Sequence, residues 1–288
     1  MPDKRKLSRR RVLKQALSVT AVGMTLPAFV SCNKKAPSTP EVSGAKLPTP
    51  GPNDQIGVGI IGCGRRNAQL QIGRGDQGKP PREARIVAVA DLNLTRAKQW
   101  GEKYKAEVYQ DYRKLLERKD VEVVVYATPE HWHYLPCIHA CQAGKDIYGE
   151  QPLSHTIGEG RMMANAARKY KRVFQTGEQQ RSHPATRKAA ELIINGRIGK
   201  IKEIVGYNYP SPFECGLPGE PVPDGLDWDK WCGPNEVVPY NVNLYLSRVP
   251  YERTKEWPNE AEANAVGPGW MSFRPYSGGE LVNWGCHG

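Results

Sequence analysis

The sequence Gln55-Ile-Gly-Val-Gly-Ile-Ile-Gly-Cys-Gly-Arg-Arg-Asn67 decides the fold of this chain. An apolar run, residues 56–61, enters the turn Gly62-Cys63-Gly64. The first glycine allows a sharp turn, and the second lets backbone N–H groups approach a pyrophosphate at the start of the next helix. Asn67 replaces the third glycine of the G-x-G-x-x-G pattern, which predicts a looser contact between helix and strand. The stretch predicts the first βα unit of a dinucleotide-binding fold.

Predicted strands and helices alternate beyond this stretch, which favours an α/β class with a doubly wound, Rossmann-type parallel sheet. The predicted strands are 56–61, 84–90, 108–109, 121–127, 146–148 and 172–175. Helices are predicted from residue 66 and over 94–104, 111–117, 133–143 and 157–170. The pattern changes near residue 177, where a helix over 185–195 and a β-like run over 200–209 predict a second, α+β open-sheet domain.

The formal net charge of +11 is concentrated at the N-terminus. Seven of the 41 basic residues lie within residues 1–14, and the rest of the chain holds 34 basic and 29 acidic residues. The remaining charge is scattered and forms no long basic run, so we expect no nucleic-acid partner.

The basic N-terminus resembles an export signal. Ser8-Arg-Arg-Arg-Val-Leu-Lys14 is similar to the twin-arginine pattern, and an uncharged stretch follows that is too short and polar for a comfortable membrane span. Phe29-Val-Ser-Cys32 resembles a bacterial lipobox, so Cys32 is predicted to be lipidated and to attach the protein to a membrane. We therefore predict a signal over 1–32, a Pro-rich tether over 33–54, and a periplasmic or membrane-anchored location. The alternative is an ordinary signal peptide with an incidental cysteine.

The other six cysteines show neither a C-x-x-C pair nor a regular framework, which argues against a zinc ribbon or a disulfide scaffold. Two histidines flank Trp132 within Thr128-Pro-Glu-His-Trp-His133, but no third ligand is apparent. We expect no metal site.

Polar residues follow three predicted strands at the edge where open α/β sheets bind ligands. Asp91 ends the second strand, where a carboxylate binds ribose hydroxyls and favours NAD over NADP; a helix N-cap is the alternative. Thr128-Pro129 and Glu150-Gln151-Pro152 end two later strands. His131 and His133 are expected to position the cofactor or to cap a helix.

The combination of these motifs resembles the Gfo/Idh/MocA oxidoreductases, especially exported bacterial members, over residues 56–288. The shared residues are Gly62-Cys63-Gly64, Asp91, Thr128-Pro129, His131-Trp132-His133, Ala143-Gly144-Lys145, Glu150-Gln151-Pro152, Gln175-Thr176-Gly177, Gln179-Gln180-Arg181, Leu226-Asp227-Trp228, Trp231, Gly233-Pro234 and Asn283-Trp284-Gly285-Cys286-His287. The resemblance implies a Rossmann domain over 55–176, a substrate domain over 177–288, a bound NAD(P) and a sugar-like substrate.

The resemblance also implies roles for individual residues. The cofactor would be held by Gly62, Cys63, Gly64, Arg65, Arg66, Asn67, Asp91, Thr128, Pro129, His131, His133, Glu150, Gln151 and Pro152. The substrate would be held by Gln180, Arg181 and Trp228, and the catalytic positions are Gln151, Asn283 and His287.

The chain departs from the family pattern at two catalytic positions. Gln151 stands where members usually carry lysine, and Asn283 stands where they carry aspartate. Both amides can form hydrogen bonds but cannot act as an acid or a base. His287 remains and could remove a hydroxyl proton as hydride leaves; the alternative is a purely structural histidine.

Family members usually continue past this last motif, so the resemblance implies that the sequence is a fragment lacking part of the second domain. A homo-oligomer formed through the C-terminal sheet is left open. Three functions stay open as well: an NAD-dependent oxidoreductase acting on a sugar, an NAD-dependent glycosidase that oxidises, eliminates and reduces, and a non-catalytic nucleotide- or sugar-binding protein.

Overall fold

The computed structural model describes residues 55–70, 83–206, 212, 214–246 and 269–286. The chain divides into two units, 1–47 and 48–288, and every described residue belongs to the second. The predicted signal, Cys32, the whole predicted tether and His287 lie outside the described residues.

Six parallel strands form one sheet in the order β3-β2-β1-β4-β5-β6. The strands are β1 (Ile56–Ile61), β2 (Ala84–Ala90), β3 (Glu107–Tyr109), β4 (Val123–Tyr126), β5 (Asp146–Glu150) and β6 (Phe174–Gly177). The order reverses between β1 and β4, and such a switch point leaves a crevice at the carboxyl ends of the strands. The predicted doubly wound α/β fold is therefore confirmed.

Helices connect the strands and cover the sheet. They are α1 (Arg65–Leu70), α2 (Leu94–Tyr104), α3 (Tyr112–Leu116), α4 (Tyr134–Gln142) and α5 (Ile157–Lys169), with a 3₁₀ turn over Glu130–Trp132 before α4. Three of them begin at side-chain caps, formed by Asn93, Asp111 and Thr156. Thr156 and Glu159 form a reciprocal capping box at the start of α5.

The core lies on both faces of the central strands. The last five residues of β1 and of β2 are buried, which explains why both read as continuous apolar runs. One cluster joins α3, α4 and α5 to one face, and includes Leu115, Val124 and Met163. A second cluster on the other face includes Val58, Ile60 and Val89.

Short helices replace regular strands after β6. They are α6 (Gln179–Ser182), α7 (Pro184–Ile194), α8 (Trp228–Cys232), α9 (Val242–Tyr245) and α10 (Glu280–Gly285), with a 3₁₀ turn over Trp270–Ser272. The predicted strand over 200–209 differs, because residues 201–206 are exposed and unpaired with any strand, and 207–209 lie outside the described residues. A strand needs a hydrogen-bonded neighbour, and the described part of the chain beyond β6 contains none.

Aromatic residues build a third core in this C-terminal part. Trp228 and Trp231 stack with ring centroids 4.5 Å apart and planes 10° apart. Tyr240, Tyr245 and Tyr276 surround the pair. His131 joins the same cluster from the nucleotide-fold side, so the two parts of the chain share it.

Within the described ranges, no helix combines the length and the apolarity that crossing a bilayer would require. All six cysteines of the described chain are free.

Candidate functional site

A cleft of about 1340 Å³ opens at the carboxyl ends of the parallel strands. Residues that follow β1, β2, β4 and β5 line it, and α10 closes one side. The lining includes Gly64, Asp91, Thr128, Glu150, Gln151 and Asn283. The sheet therefore brings together residues that are up to 219 positions apart in the sequence.

The glycine turn after β1 has the shape that a nucleotide requires. Gly62 has φ +85°, and a Cβ there would lie 2.8 Å from the carbonyl oxygen of Ala127. A Cβ at Gly64, by contrast, would meet no protein atom within 4 Å. The fold of the protein requires glycine at position 62, because a larger residue would crowd the Ala127 carbonyl. Glycine at position 64 leaves open space over the cleft. This geometry fits a diphosphate close to the backbone.

Asn67 does not loosen the helix–strand contact as the sequence predicted. Its side chain is buried, and its amide donates to the carbonyl oxygens of Gly62 at 2.6 Å and Ile61 at 3.2 Å. The amide thus pins α1 to the end of β1. The usual glycine permits close approach, whereas here the side chain occupies the same contact and forms hydrogen bonds within it.

Asp91 holds the turns at the ends of β1 and β2. One carboxylate oxygen accepts the Cys63 N–H at 2.7 Å, and the other accepts the Asn93 N–H at 2.8 Å. The guanidinium of Arg96 lies 3.8 Å away. Asn93, rather than Asp91, caps α2. The alternative of an N-cap role for Asp91 therefore does not hold, and its carboxylate lies on the cleft wall.

Arg66 joins α1 to the end of β5. Its guanidinium pairs with both oxygens of the buried Glu150, at 2.9 and 3.0 Å, and donates to the Gln179 side chain at 2.7 Å. The fork geometry suits a carboxylate. This arginine spans the crevice between the glycine turn and the strand that carries Glu150-Gln151.

The two histidines of Thr128-Pro-Glu-His-Trp-His133 support the cleft from behind. His133 places its ring nitrogens 2.9 Å from the Thr128 carbonyl oxygen and 2.7 Å from that of Pro152. It therefore ties the loop after β4 to the loop after β5. Burial lowers the pKa of His133, and lowers the pKa of His131 to about 3. The His131 ring is therefore neutral near pH 7, and neither ring lines the cleft.

The predicted substrate residues occupy different surroundings. Gln180 lines the cleft, and Arg181 follows it on the exposed helix α6. Trp228 lies in the aromatic core, where its indole N–H donates to the Val238 carbonyl at 2.7 Å. Its neighbour Trp231 lines the cleft instead. The positions of these two tryptophans along one helix could not reveal from the sequence which of them faces the cleft.

Two residues that line the cleft and one buried residue were given no role from the sequence. Arg96, Gln179 and Glu130 all lie within or beside quoted motifs, but their spacing carries no known signal. Arg96 lies one turn into the helix that follows Asp91, so a basic residue there was the available clue. Lys145 was in a shared motif, yet it donates to the Arg118 carbonyl at 2.7 Å, before β5 and away from the carboxyl edge.

Residues 56–178 match the model of the Gfo/Idh/MocA oxidoreductase family, described as an NAD-binding Rossmann fold. The match begins at β1 and ends directly after β6, so it covers the sheet and its glycine turn. This segment is a Gfo/Idh/MocA NAD(P)-binding domain. The predicted family and cofactor class are confirmed for it.

Curated relatives match over about half of this chain. A Glycosyl hydrolase family 109 protein 2 of Shewanella sp. (strain ANA-3) is 35% identical over 163 residues, which are 52% of this chain and 35% of that protein. The inositol 2-dehydrogenase of Salmonella typhimurium is 30% identical over 54% of this chain and 44% of its own. The uncharacterized oxidoreductase YrbE of Bacillus subtilis is 31% identical over 50% and 42%. This chain spans less than half the length of each.

Solved structures give a similar coverage. A 3-ketoreductase from Actinomadura kijaniata, in complex with TDP-benzene and NADP, is 27% identical with a TM-score of 0.46. The match covers 51% of this chain and 46% of that one.

Proposed function

We propose that this protein is an NAD(P)-dependent oxidoreductase that acts on a sugar or a sugar derivative. One observation carries the proposal: side chains and turns from the carboxyl ends of β1, β2, β4 and β5 line a single cleft on the matched domain. Open α/β sheets bind their ligands at this edge. The sugar class follows from relatives such as the inositol 2-dehydrogenases.

The ribose end of the cleft favours NAD over NADP. A carboxylate at Asp91 accepts hydrogen bonds from ribose hydroxyls and repels a 2′-phosphate. Arg96, 3.8 Å from that carboxylate, offsets part of the repulsion. Replacing Asp91 with asparagine should therefore shift the ratio of the NAD and NADP dissociation constants toward NADP by about tenfold.

The nicotinamide, when bound, supplies the hydride acceptor or donor. Gln151 and Gln180 line the cleft and can form hydrogen bonds with sugar hydroxyls, and Arg181 lies beside them on α6. His287, one residue past the described segment 269–286, is the proposed proton acceptor. His131 and His133 are excluded from that role because both are buried behind the cleft.

An NAD-dependent glycosidase is the second candidate. A relative named as a glycosyl hydrolase is 35% identical over 163 residues, a higher identity than that of the inositol 2-dehydrogenases. A cycle that restores its own cofactor would also suit an exported protein, because free dinucleotide is scarce outside the cytoplasm.

The deciding experiment begins with the purified full chain. Denaturation should release NAD(P), detected by absorbance, or titration should show binding with a 1:1 stoichiometry. If the protein neither holds dinucleotide nor binds it on titration, both enzymatic functions are contradicted. Binding without turnover on any sugar or glycoside would favour the third function, a non-catalytic binding protein.

Two substrates then separate the enzymatic candidates. Free sugars with added NAD should give net NADH if the protein is a dehydrogenase. Aryl glycosides without added cofactor should release the aryl group steadily if it is a glycosidase. His287→Ala should abolish either reaction while NAD(P) binding persists, and unchanged turnover would refute the role of His287.

A further inference from the structure

Glu130 is a fully buried carboxylate at the junction of the nucleotide fold and the C-terminal segment. One of its oxygens accepts the Ser277 hydroxyl at 2.9 Å and the Asn283 amide at 3.1 Å. The other accepts the Gly278 N–H at 2.8 Å. Three donors from one short stretch, residues 277–283, therefore converge on a single side chain that follows β4.

The three donors offset part of the cost of burying this charge. Burial raises the pKa of Glu130, and the three hydrogen bonds oppose that rise. A buried carboxylate that lost one donor would be left under-satisfied, at a substantial cost. The segment 277–283 and Glu130 therefore depend on each other.

Gln151 makes the second attachment. Its side-chain oxygen lies 3.0 Å from the thiol of Cys286, which shares its single proton between this oxygen and the Asn283 carbonyl oxygen at 3.1 Å. Burial raises the pKa of Cys286 to about 11, so the thiol keeps its proton near neutral pH. The residues from 277 to 286 are thus held at both ends, by Glu130 and by Gln151.

The chemistry of Glu130 explains the identity of residue 283. Asparagine supplies a donor at 3.1 Å, whereas aspartate would place a second carboxylate at the same distance. Two carboxylates that close cannot both ionise without a strong penalty, and one must keep a proton. An amide at 283 therefore satisfies an ionised glutamate at 130, whereas an ionised aspartate there would not.

We propose that Glu130, Asn283 and Gln151 form an anchor that fixes residues 277–286 as one wall of the cleft, so that both amides are positioning residues and not proton carriers. The wall contributes Asn283 and Trp284 to the cleft lining. The inference rests on the proposed function only in taking this cleft as the place where dinucleotide and substrate meet.

A reciprocal exchange tests the Glu130–Asn283 pair. In N283D two carboxylates face each other and their folded-state pKa values rise, so stability falls as the pH rises through them. We expect Tm near wild type at pH 5, a loss of several degrees at pH 8, and hydrogen–deuterium exchange in 277–286 that is about tenfold faster. E130Q should loosen the same segment at every pH, because the introduced amide offers the three donors only one acceptor oxygen.

The double variant E130Q/N283D carries the decisive result. The amide nitrogen introduced at position 130 can donate to the carboxylate introduced at position 283, while the oxygen of that amide still accepts from the Gly278 N–H. Exchange in 277–286 should return to within about twofold of wild type, and NAD(P) affinity with it. If the increase in exchange in the double variant equals the sum of the increases in the two single variants, the proposed Glu130–Asn283 pair is refuted. Unchanged exchange in N283D would refute it as well. Leu281→Ala, whose exposed side chain lies on the same helix, is the control.

Position 151 gives an independent arm. Q151K restores the lysine that the family usually carries but removes the acceptor for Cys286, so exchange near 286 should rise and turnover should not. Q151E keeps an acceptor and should preserve the protection. A rise in turnover above about tenfold in Q151K or N283D, with unchanged exchange, would show that these positions carry protons and would overturn the proposal. Wild-type NAD(P) binding is measured separately, so failure of the proposed function is distinguishable from failure of the anchor.

Discussion

Gly62 and Gly64 perform different tasks although they belong to one turn. The backbone at Gly62 has positive φ, and a Cβ there would crowd the Ala127 carbonyl at 2.8 Å. We expect Gly62→Ala to lower the free energy of unfolding by about 2 kcal/mol. A Cβ at Gly64 meets no protein atom, so Gly64→Ala should change stability by less than about 0.5 kcal/mol.

The same pair predicts opposite effects on the cofactor. The methyl group of Gly64→Ala projects where the backbone must approach a diphosphate, so NAD(P) affinity should fall by at least about tenfold. Urea unfolding and calorimetric titration of both variants check the two effects. Undiminished NAD(P) affinity in a stable Gly64→Ala protein would place the diphosphate elsewhere.

Arg66 is the cationic partner that keeps the buried Glu150 satisfied. Removing it in Arg66→Gln leaves that carboxylate without its bidentate partner, and we expect a loss of about 2 kcal/mol in unfolding free energy. Glu150→Gln added to it removes the stranded charge and should recover more than half of the loss. Urea unfolding measures both, and Arg113→Gln, whose ion pair with Asp111 is exposed, is the control. Equal losses at positions 66 and 113 would contradict a special role for Arg66.

At the scale of secondary structure, close backbone contacts decide where β1 tolerates a side chain. A Cβ at Gly57 would overlap the carbonyl oxygen of Asp120, a backbone atom that cannot move aside cheaply. We expect Gly57→Ala to destabilise the fold by about 3 kcal/mol. Gly158, in the first turn of α5, has no atom near its Cβ direction, and Gly158→Ala should stabilise the helix by about 0.5 kcal/mol. Thermal unfolding compares them; two similar Tm values would contradict the register of β1.

Elements were predictable where one physical rule acts locally. Helix α2 was predicted at its observed bounds, where the structure has an asparagine cap at the start and a left-handed Lys105 at the end. The helix predicted over 111–117 is α3, and Asp111 is its N-cap. Strands β1 and β2 were also confirmed at their bounds, because parallel strands buried on both faces read as unbroken apolar runs. The 3₁₀ turn at Glu130–Trp132 was predicted only as the loop before the helix over 133–143, because it depends on distant contacts with residues 230–283.

At the scale of the whole molecule, the site depends on pairs of side chains that are far apart in the sequence. Composition does not reveal which residues form these pairs. The Arg66–Glu150 pair joins residues 84 positions apart, and the Glu130–Asn283 pair joins residues 153 apart. The motifs predicted that the stretches after the strands meet at one edge, because parallel strands end together, but this reasoning did not place Asn283. Which side chain pairs with which depends on packing, so Trp228 was expected in the site while Trp231 is the one that lines it.

Export of a folded, loaded protein is the prediction that concerns the molecule as a whole. The twin-arginine pattern over residues 8–14 implies passage after folding, so NAD(P) bound in the cytoplasm would travel with the protein. Arg9→Lys/Arg10→Lys should retain it in the cytoplasm, and Arg11→Lys, at the variable position of the pattern, should not.

The exported fraction then tests whether Cys32 is lipidated and whether the protein still holds NAD(P). Cys32→Ser should release the protein from the membrane fraction without lowering the amount exported, because the lipid predicted on Cys32 would provide the anchor. The wild-type protein recovered after export should hold stoichiometric NAD(P), since dinucleotide outside the cytoplasm is too dilute to refill an empty site. Exported protein that is free of dinucleotide, with activity that requires added NAD(P), would contradict a retained cofactor and with it the closed redox cycle of the glycosidase candidate.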